Sequence, residues 1–239
     1  MNPPFFGARV VDDVTLDELS SKIDLESLFS GRWQLRRGVD PGAWEGFKLA
    51  TALPMFERIL SICRAREAIE PRILYGYFRC ARDGNALMVE GEGKTFRFDF
   101  PRERAAPNRC VADFFPYGIA AFALSTIGAG ASREGAELFK KNAYSDAFLL
   151  KGLAAEAAEA LTKIAFERVA SELCAPPGQG ERFSPGFPSF PSIFDQRKIA
   201  SLLKFARIGV SLTKSCQLVP EHTTTALISI FPGASHFRP

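Results

Sequence analysis

The spacing of apolar positions divides the chain into a helical opening, a strand-rich middle, a helical return and a short closing run of strands. Over TLDELSSKIDLESLF (15–29), Leu16, Leu19, Ile23 and Leu28 recur at helical spacing, which puts them on one side of a helix. Thr15 and Glu18 stand in a capping-box relation at its front, and a break is expected near Asp24. A second helical stripe runs through 45–70, with Phe47, Leu49, Leu53, Phe56, Ile59, Leu60 and Cys63 on it. Pro54 marks its start or a kink, because proline cannot donate the helical hydrogen bond.

The period then falls to two. RILYGYFRC (72–80), ALMVEGEG (86–93) and TFRFDF (95–100) are short and rich in aromatic and branched residues, the composition of strands. Asp83-Gly84 between the first two is a hairpin signal. Phe96, Phe98 and Phe100 alternate onto one face. VADFF (111–115) and IAAFALSTIG (119–128) add two more expected strands. Strands joined so closely form a meander, which is antiparallel.

Helix returns over 131–173. SREGAELFKKN reads as a short helix and 144–173 as a long one, with Phe148, Leu153, Ala154, Ala157, Leu161, Ile164 and Ala165 as its apolar stripe. On its polar side Glu159, Lys163 and Glu167 have the spacing of an exposed ion-pair ladder. Beyond it a helix is expected near 196–207 and closing strands at 211–216 and 224–231. The order of helices, strands, helices and a short return to strands predicts an α+β fold. We expect one domain over 1–239, with a central, strongly bent antiparallel sheet flanked by helices.

Between the long helix and the closing elements lies GERFSPGFPSFPSIFDQ, residues 180–196, which sets Arg182 among prolines and phenylalanines. Proline fixes φ and removes a donor, and extends the residue before it, so the segment is neither a helix nor a central strand. Two readings stand: a stiff loop whose rings pack on the core, or a shaped edge that holds something. Pro185, Pro188 and Pro191 recur every third residue, so a polyproline II face of the PxxP kind is a further alternative.

Composition narrows the chemistry. The 239 residues carry 30 Lys and Arg against 27 Asp and Glu, net +3, with no block of like charge to suggest nucleic-acid binding. No run of about 18 apolar residues suggests a membrane span, and the first residues lack the pattern of a secretory signal. Five dispersed cysteines and two histidines give no metal-ligand spacing; reduced, mostly buried thiols in the cytoplasm are expected. His222 and His236 sit in no nucleophile elbow. No phosphate loop or dinucleotide fingerprint appears. TIGAGAS (126–132) is a weak anion hint, and a loop between elements accounts for it better.

Read together, GARVVDDVTLDELSSKIDLESLF, NRCVADFF, KNAYSDAFLLKGLAAEAAEAL, GERFSPGFPSFP, GVSLTKSCQLVP and FPGASHF follow the order found in the activation domain of cobalamin-dependent methionine synthase, and the chain resembles that family along nearly its whole length. RWQLR, LYGYF and FPRER resemble its compact, free-standing members. The resemblance implies a domain that binds S-adenosylmethionine and supports reductive methylation of cob(II)alamin. The cobalamin is carried by a partner, a methionine synthase or another corrinoid protein. The electron comes from a flavodoxin- or ferredoxin-type donor. No membrane or nucleic-acid partner is implied, and the chain itself supplies no catalytic residue and no metal ligand.

The same resemblance makes the loop Arg182-Phe183-Ser184-Pro185-Gly186-Phe187-Pro188 the S-adenosylmethionine clamp. A guanidinium at Arg182 suits a carboxylate, and Gly186 allows close backbone approach. Ser184, Phe187, Asp24, Glu159 and His236 complete the implied ligand set. Phe187 stands where the family has tyrosine, keeping the ring without the hydroxyl. His236 replaces a second tyrosine, and Phe166 takes a position usually held by histidine. The alternative to a working methyl-donor site is a diverged docking or regulatory module for a corrinoid methyltransferase.

Overall fold

The computed structural model describes residues 2–36 and 38–239. Its frame is an antiparallel sheet whose spine is the long strand β2 (Arg72–Asp83). One edge of β2 is shared by two strands in succession. β1 (Gly7–Val11) pairs with its first half, Gly7 opposite Tyr77 and Val11 opposite Ile73. β3 (Ala86–Gly91) pairs with its last residues, Cys80 opposite Val89 and Asp83 opposite Ala86. β4 (Lys94–Asp99) continues the meander beyond β3. On the other edge of β2 lies β5 (Ile119–Thr126).

Six helices and four more strands complete the described chain: α1 (Leu16–Ser21), α2 (Trp44–Phe47), α3 (Leu53–Ala65), α4 (Gly130–Lys140), α5 (Tyr144–Glu172), β6 (Glu181–Phe183), α6 (Gln196–Leu203), β7 (Ser211–Leu212), β8 (Leu218–Val219) and β9 (Thr223–Ser229). β9 pairs with β5, and β6 adds a short outer strand on β9. β7 and β8 form a separate two-stranded ribbon. The hairpin expected at Asp83-Gly84 is present, with Gly84 at φ +58°.

Alternation along the strands divides the core between two faces. Ile73, Tyr75, Tyr77, Ala121, Ala123, Ala226 and Ile228 meet α1, α3 and α5. Leu74, Phe78, Phe122, Leu124 and Leu227 meet Phe98, Phe183, Phe190 and the apolar side of α6. The run of buried alanines in α5, Ala154, Ala157, Ala158, Ala160 and Ala165, lets this helix lie close on β5 and β9 with little side-chain entropy lost.

The early helices match the expected break at Asp24: α1 is capped by Thr15, whose hydroxyl accepts from Glu18 N at 3.1 Å, and the chain restarts after Asp24. Two segments, Ser27–Arg32 and Lys48–Ala52, are wound as π-helix. The second precedes Pro54, and the wider turn accommodates a residue without an amide hydrogen. The stripe over 45–70 stops at Ala65, and Leu49 points to solvent at 68% exposure.

Other expectations change. VADFF is not a strand: Val111–Phe114 is a 3₁₀ turn. Asp113 Oδ2 accepts from Cys110 N at 2.9 Å, and this local bond outcompetes the strand propensity of the segment. SLTKSC supplies only the two residues of β7. Phe148 lies off the buried stripe, 51% exposed. The Glu159–Lys163–Glu167 ladder does not form among the described residues. Glu167 instead meets Lys22 at 3.0 Å, tying α5 to the end of α1. Gly130 in TIGAGAS has a packing role: a Cβ there would lie 2.6 Å from Ala68 O.

Candidate functional site

The proline loop begins on β6, which can join the sheet because Gly180 has no side chain. A Cβ at that position would lie 2.3 Å from Ser229 O, and its φ is +106°. Opposite Ile228 in the ladder, Arg182 stands on the α5 face of β9. The chain then turns twice. Phe187 N donates to Ser184 O (3.3 Å), Phe190 N to Phe187 O (2.9 Å) and Gly186 N to Phe190 O (2.8 Å). Gly186 adopts φ +96° inside this reversal. Such folding back replaces the polyproline II face expected as an alternative. Pro185 is buried while Pro188 and Pro191 are exposed, so the three prolines do not share a face. Phe183 and Phe190 anchor the loop in the core, and Phe187 is left 56% exposed at its tip.

A cleft of about 180 Å³ opens between this loop and α5. It is lined by Glu159 and Thr162 of α5, Glu181 and Arg182 of β6, Ser184 and Phe187 of the loop, Thr224 of β9, and His236. Of the residues that the sequence singled out, Glu159, Arg182, Ser184, Phe187 and His236 therefore converge. Gly186 shapes the turn between two of them. Asp24 is not among the lining residues. Its Oδ1 accepts from Ser27 N at 3.0 Å, so it acts as a helix N-cap.

The sequence reading omitted Glu181, Thr162 and Thr224. Glu181 Oε1 accepts from Arg182 N at 2.8 Å and lies 3.8 Å from His236 Nε2. On its other side His236 Nδ1 is 3.3 Å from Ser189 Oγ. Its ring packs edge-on to Phe183 at 5.3 Å and tilted by 34° to Phe187 at 6.3 Å. The imidazole thus spans from the buried loop base to the exposed Phe187. Thr162 donates to Ala158 O at 2.9 Å, a bond that hides its polarity in an apolar stripe.

Neither Glu159 nor the Arg182 guanidinium has an ion-pair partner among the described residues. Two opposite charges without internal partners therefore face one cleft, together with hydroxyls and two rings. That donor set fits a ligand carrying both charges and a flat ring system. His222, the other histidine, is buried, and burial holds its pKa below the usual value.

Comparison with known proteins gives this geometry a family context. The vitamin B12 dependent methionine synthase activation domain matches over residues 15–238. Among curated relatives, the methionine synthases of Mycobacterium tuberculosis and Mycobacterium leprae are 29% and 27% identical to the chain, in each case over 99% of it. The chain spans only 23% of the length of each. A solved structure, described as the MetH reactivation domain bound to AdoHcy, superposes with a TM-score of 0.84 at 21% identity, covering 99% of this chain and 82% of that one. Its likeness shows the same fold, a central antiparallel sheet flanked by helices. With the family matched from the first helix to within a residue of Pro239, the chain belongs to the activation domains of vitamin B12 dependent methionine synthase.

Proposed function

We propose that this domain binds S-adenosylmethionine in the cleft between α5 and the proline loop, and supports reactivation of a separate cobalamin-carrying methionine synthase or other corrinoid protein. The observation that carries the reading is the meeting of Arg182 and Glu159, both without internal partners, at one cleft. Arg182 would take the ligand carboxylate with parallel hydrogen bonds, and Glu159 its ammonium or sulfonium. Phe187 and His236 would bracket the adenine, and Ser184 would offer a hydroxyl at the loop. On such a partner, a flavodoxin- or ferredoxin-type donor would supply the electron and the bound S-adenosylmethionine the methyl group for reductive methylation of cob(II)alamin, with S-adenosylhomocysteine as the product left in the cleft. The chain's own contribution is to bind, orient and shield the methyl donor.

The size of the cleft supports action with a partner. About 180 Å³ is below the roughly 300 Å³ at which pockets enclose a drug-sized ligand. One end of the ligand would be held here and the rest left accessible along the loop, where a corrinoid protein could reach the methyl group. The same small volume, with the missing hydroxyl at Phe187, favours one second reading: a docking module that has lost methyl-donor binding.

Calorimetric titration of S-adenosylmethionine into the wild type and Arg182→Ala separates the two. Binding that is lost in the variant supports the first reading. Absence of binding in a folded wild type, alone and with the corrinoid partner present, overturns it in favour of the docking module.

A further inference from the structure

A larger cleft lies away from this site, where β2 passes from one neighbouring strand to the other. β1 ends its pairing at Tyr77 and β3 begins at Cys80. Phe78 and Arg79 are therefore left without a strand partner on that edge. The opening has a volume of about 630 Å³, inside the range of roughly 300–1,000 Å³ typical of small-molecule sites. β5 and β9 separate it from β6 and the loop cleft.

Its walls are of two kinds. Phe78 and Leu202 are buried and give an apolar floor. Phe6 is half exposed at the rim, with the Arg79 guanidinium 4.6 Å from its ring centre. Around that floor stand Arg79, Lys94, Lys204 and Arg207. Lys204 is neutralised by Glu92 at 2.6 Å, and Arg207 donates to Ala8 O at 2.8 Å. Arg79, Lys94 and Arg207 have no carboxylate partner among the described residues. Glu90 is the other acid on the wall. Four cations against two acids, a net excess of two positive charges, thus surround a greasy floor and an exposed ring.

Glycine keeps the space open. At Gly91 a Cβ would lie 2.4 Å from Leu202 Cδ2, so a side chain there would have to displace the Leu202 side chain that forms the floor. Gly7 and Gly93 hold φ of +88° and +75° at the wall, and nothing lies within 4 Å of the point where a Cβ would stand, leaving backbone accessible to a ligand.

We propose that this cleft is a second ligand site, for a small planar aromatic molecule bearing a phosphate, sulfonate or carboxylate. The ring lies on Phe6, Phe78 and Leu202, and the anion meets Arg79 and Lys94. Apolar contact supplies most of the affinity and the cations set the orientation, because solvent-exposed charges are weak individually. The site does not depend on S-adenosylmethionine binding elsewhere in the domain.

Anilinonaphthalene sulfonate is a suitable probe, titrated by fluorescence into the full chain and into Arg79→Ala, Lys94→Ala and Arg182→Ala. Both cation variants remove exposed side chains and leave the core intact. One saturable site is expected, about fivefold weaker in Arg79→Ala and in Lys94→Ala, the scale of a screened charge contact, and unchanged in Arg182→Ala. Neutral phenylnaphthylamine should bind more weakly than the sulfonate. Amide shifts on adding the sulfonate should gather at Arg79, Gly91, Gly93 and Lys94. Absence of binding, wild-type affinity in both cation variants, equal affinity for the neutral analogue, or shifts gathered at Glu159 and Arg182 would each overturn the proposal.

Discussion

Gly152 of α5 and Trp33 are so close that a Cβ on the glycine would lie 2.7 Å from the indole Cδ1. The indole cannot readily retreat, since it is 3% exposed and its Nε1 donates to Leu149 O at 2.9 Å. Alanine would normally gain about 1 kcal/mol over glycine within a helix. Overpacking here costs about 1–3 kcal/mol, which outweighs that gain, so Gly152→Ala is expected to destabilise by up to about 2 kcal/mol in urea unfolding. Gly135 of α4 has nothing within 4 Å of its Cβ position. Gly135→Ala should therefore stabilise, by about 0.5–1 kcal/mol.

A second prediction concerns alkaline pH. The hydroxyls of Tyr75 and Tyr77 donate to the two carboxylate oxygens of Glu172 at 2.7 and 2.8 Å. Burial, then the bond to Glu172 and its charge, pushes the Tyr75 pKa from 10.0 up to about 12, and raises Tyr77 for the same reasons. The folded state keeps these protons while the unfolded chain releases them, so unfolding releases protons above pH 10. Stability contributed by the pair is fully present below the unfolded pKa near 10 and declines as pH rises toward the folded values. Urea midpoints should be flat in this respect from pH 8 to about 10 and fall from there. Tyr77→Phe should flatten that fall; an unchanged slope would refute the assignment.

The cysteines should divide by reactivity. Cys63, Cys110 and Cys216 are buried, Cys80 is half-buried and Cys174 is exposed, and all five are free. Burial pushes the Cys63 and Cys80 thiols up to about 12, which removes the reactive thiolate near neutrality. At pH 8, iodoacetamide should label Cys174 first, with the others labelled only in denaturant, as peptide mapping would read.

Two glycines of the loop region should behave differently. Gly180→Ala brings a Cβ within 2.3 Å of Ser229 O and should detach β6, lowering the thermal midpoint. Gly186 has φ +96°, but the nearest atom to its Cβ position is Ile193 Cδ1 at 3.6 Å. Gly186→Ala should cost only about 1–2 kcal/mol, from the backbone conformation alone. If the loop cleft is the S-adenosylmethionine site, Gly186→Ala should weaken calorimetric affinity more than it lowers the melting temperature.

Periodicity revealed the elements whose burial is decided locally: the β2–β3–β4 meander, α3 and the long α5. It missed β1 and β6, five and three residues long, which become strands through partners distant in sequence. It mistook VADFF because one carboxylate, Asp113, closes a local turn. The loop residues of the candidate site were visible because arginine, glycine and proline are concentrated there. Thr162 and Thr224 were not, since a hydroxyl in an apolar pattern reads the same whether it bonds within its helix or faces a cleft. For Asp24 the residues alone suggest a solvated acid and only the family resemblance implies a ligand role; in the fold its oxygen accepts a helix-starting amide and it lies outside the lining of the loop cleft.

β6 is joined to the sheet by three residue pairs, on one side only. Its amide protons are therefore expected to exchange with solvent faster than those of β5, because an outer strand this short can fray without the core opening. Arg182 rides on that strand while Glu159 belongs to the long helix beneath it. Any molecule that grips both must hold the strand down, so its affinity and the protection of the β6 amides from deuterium are two readings of one equilibrium.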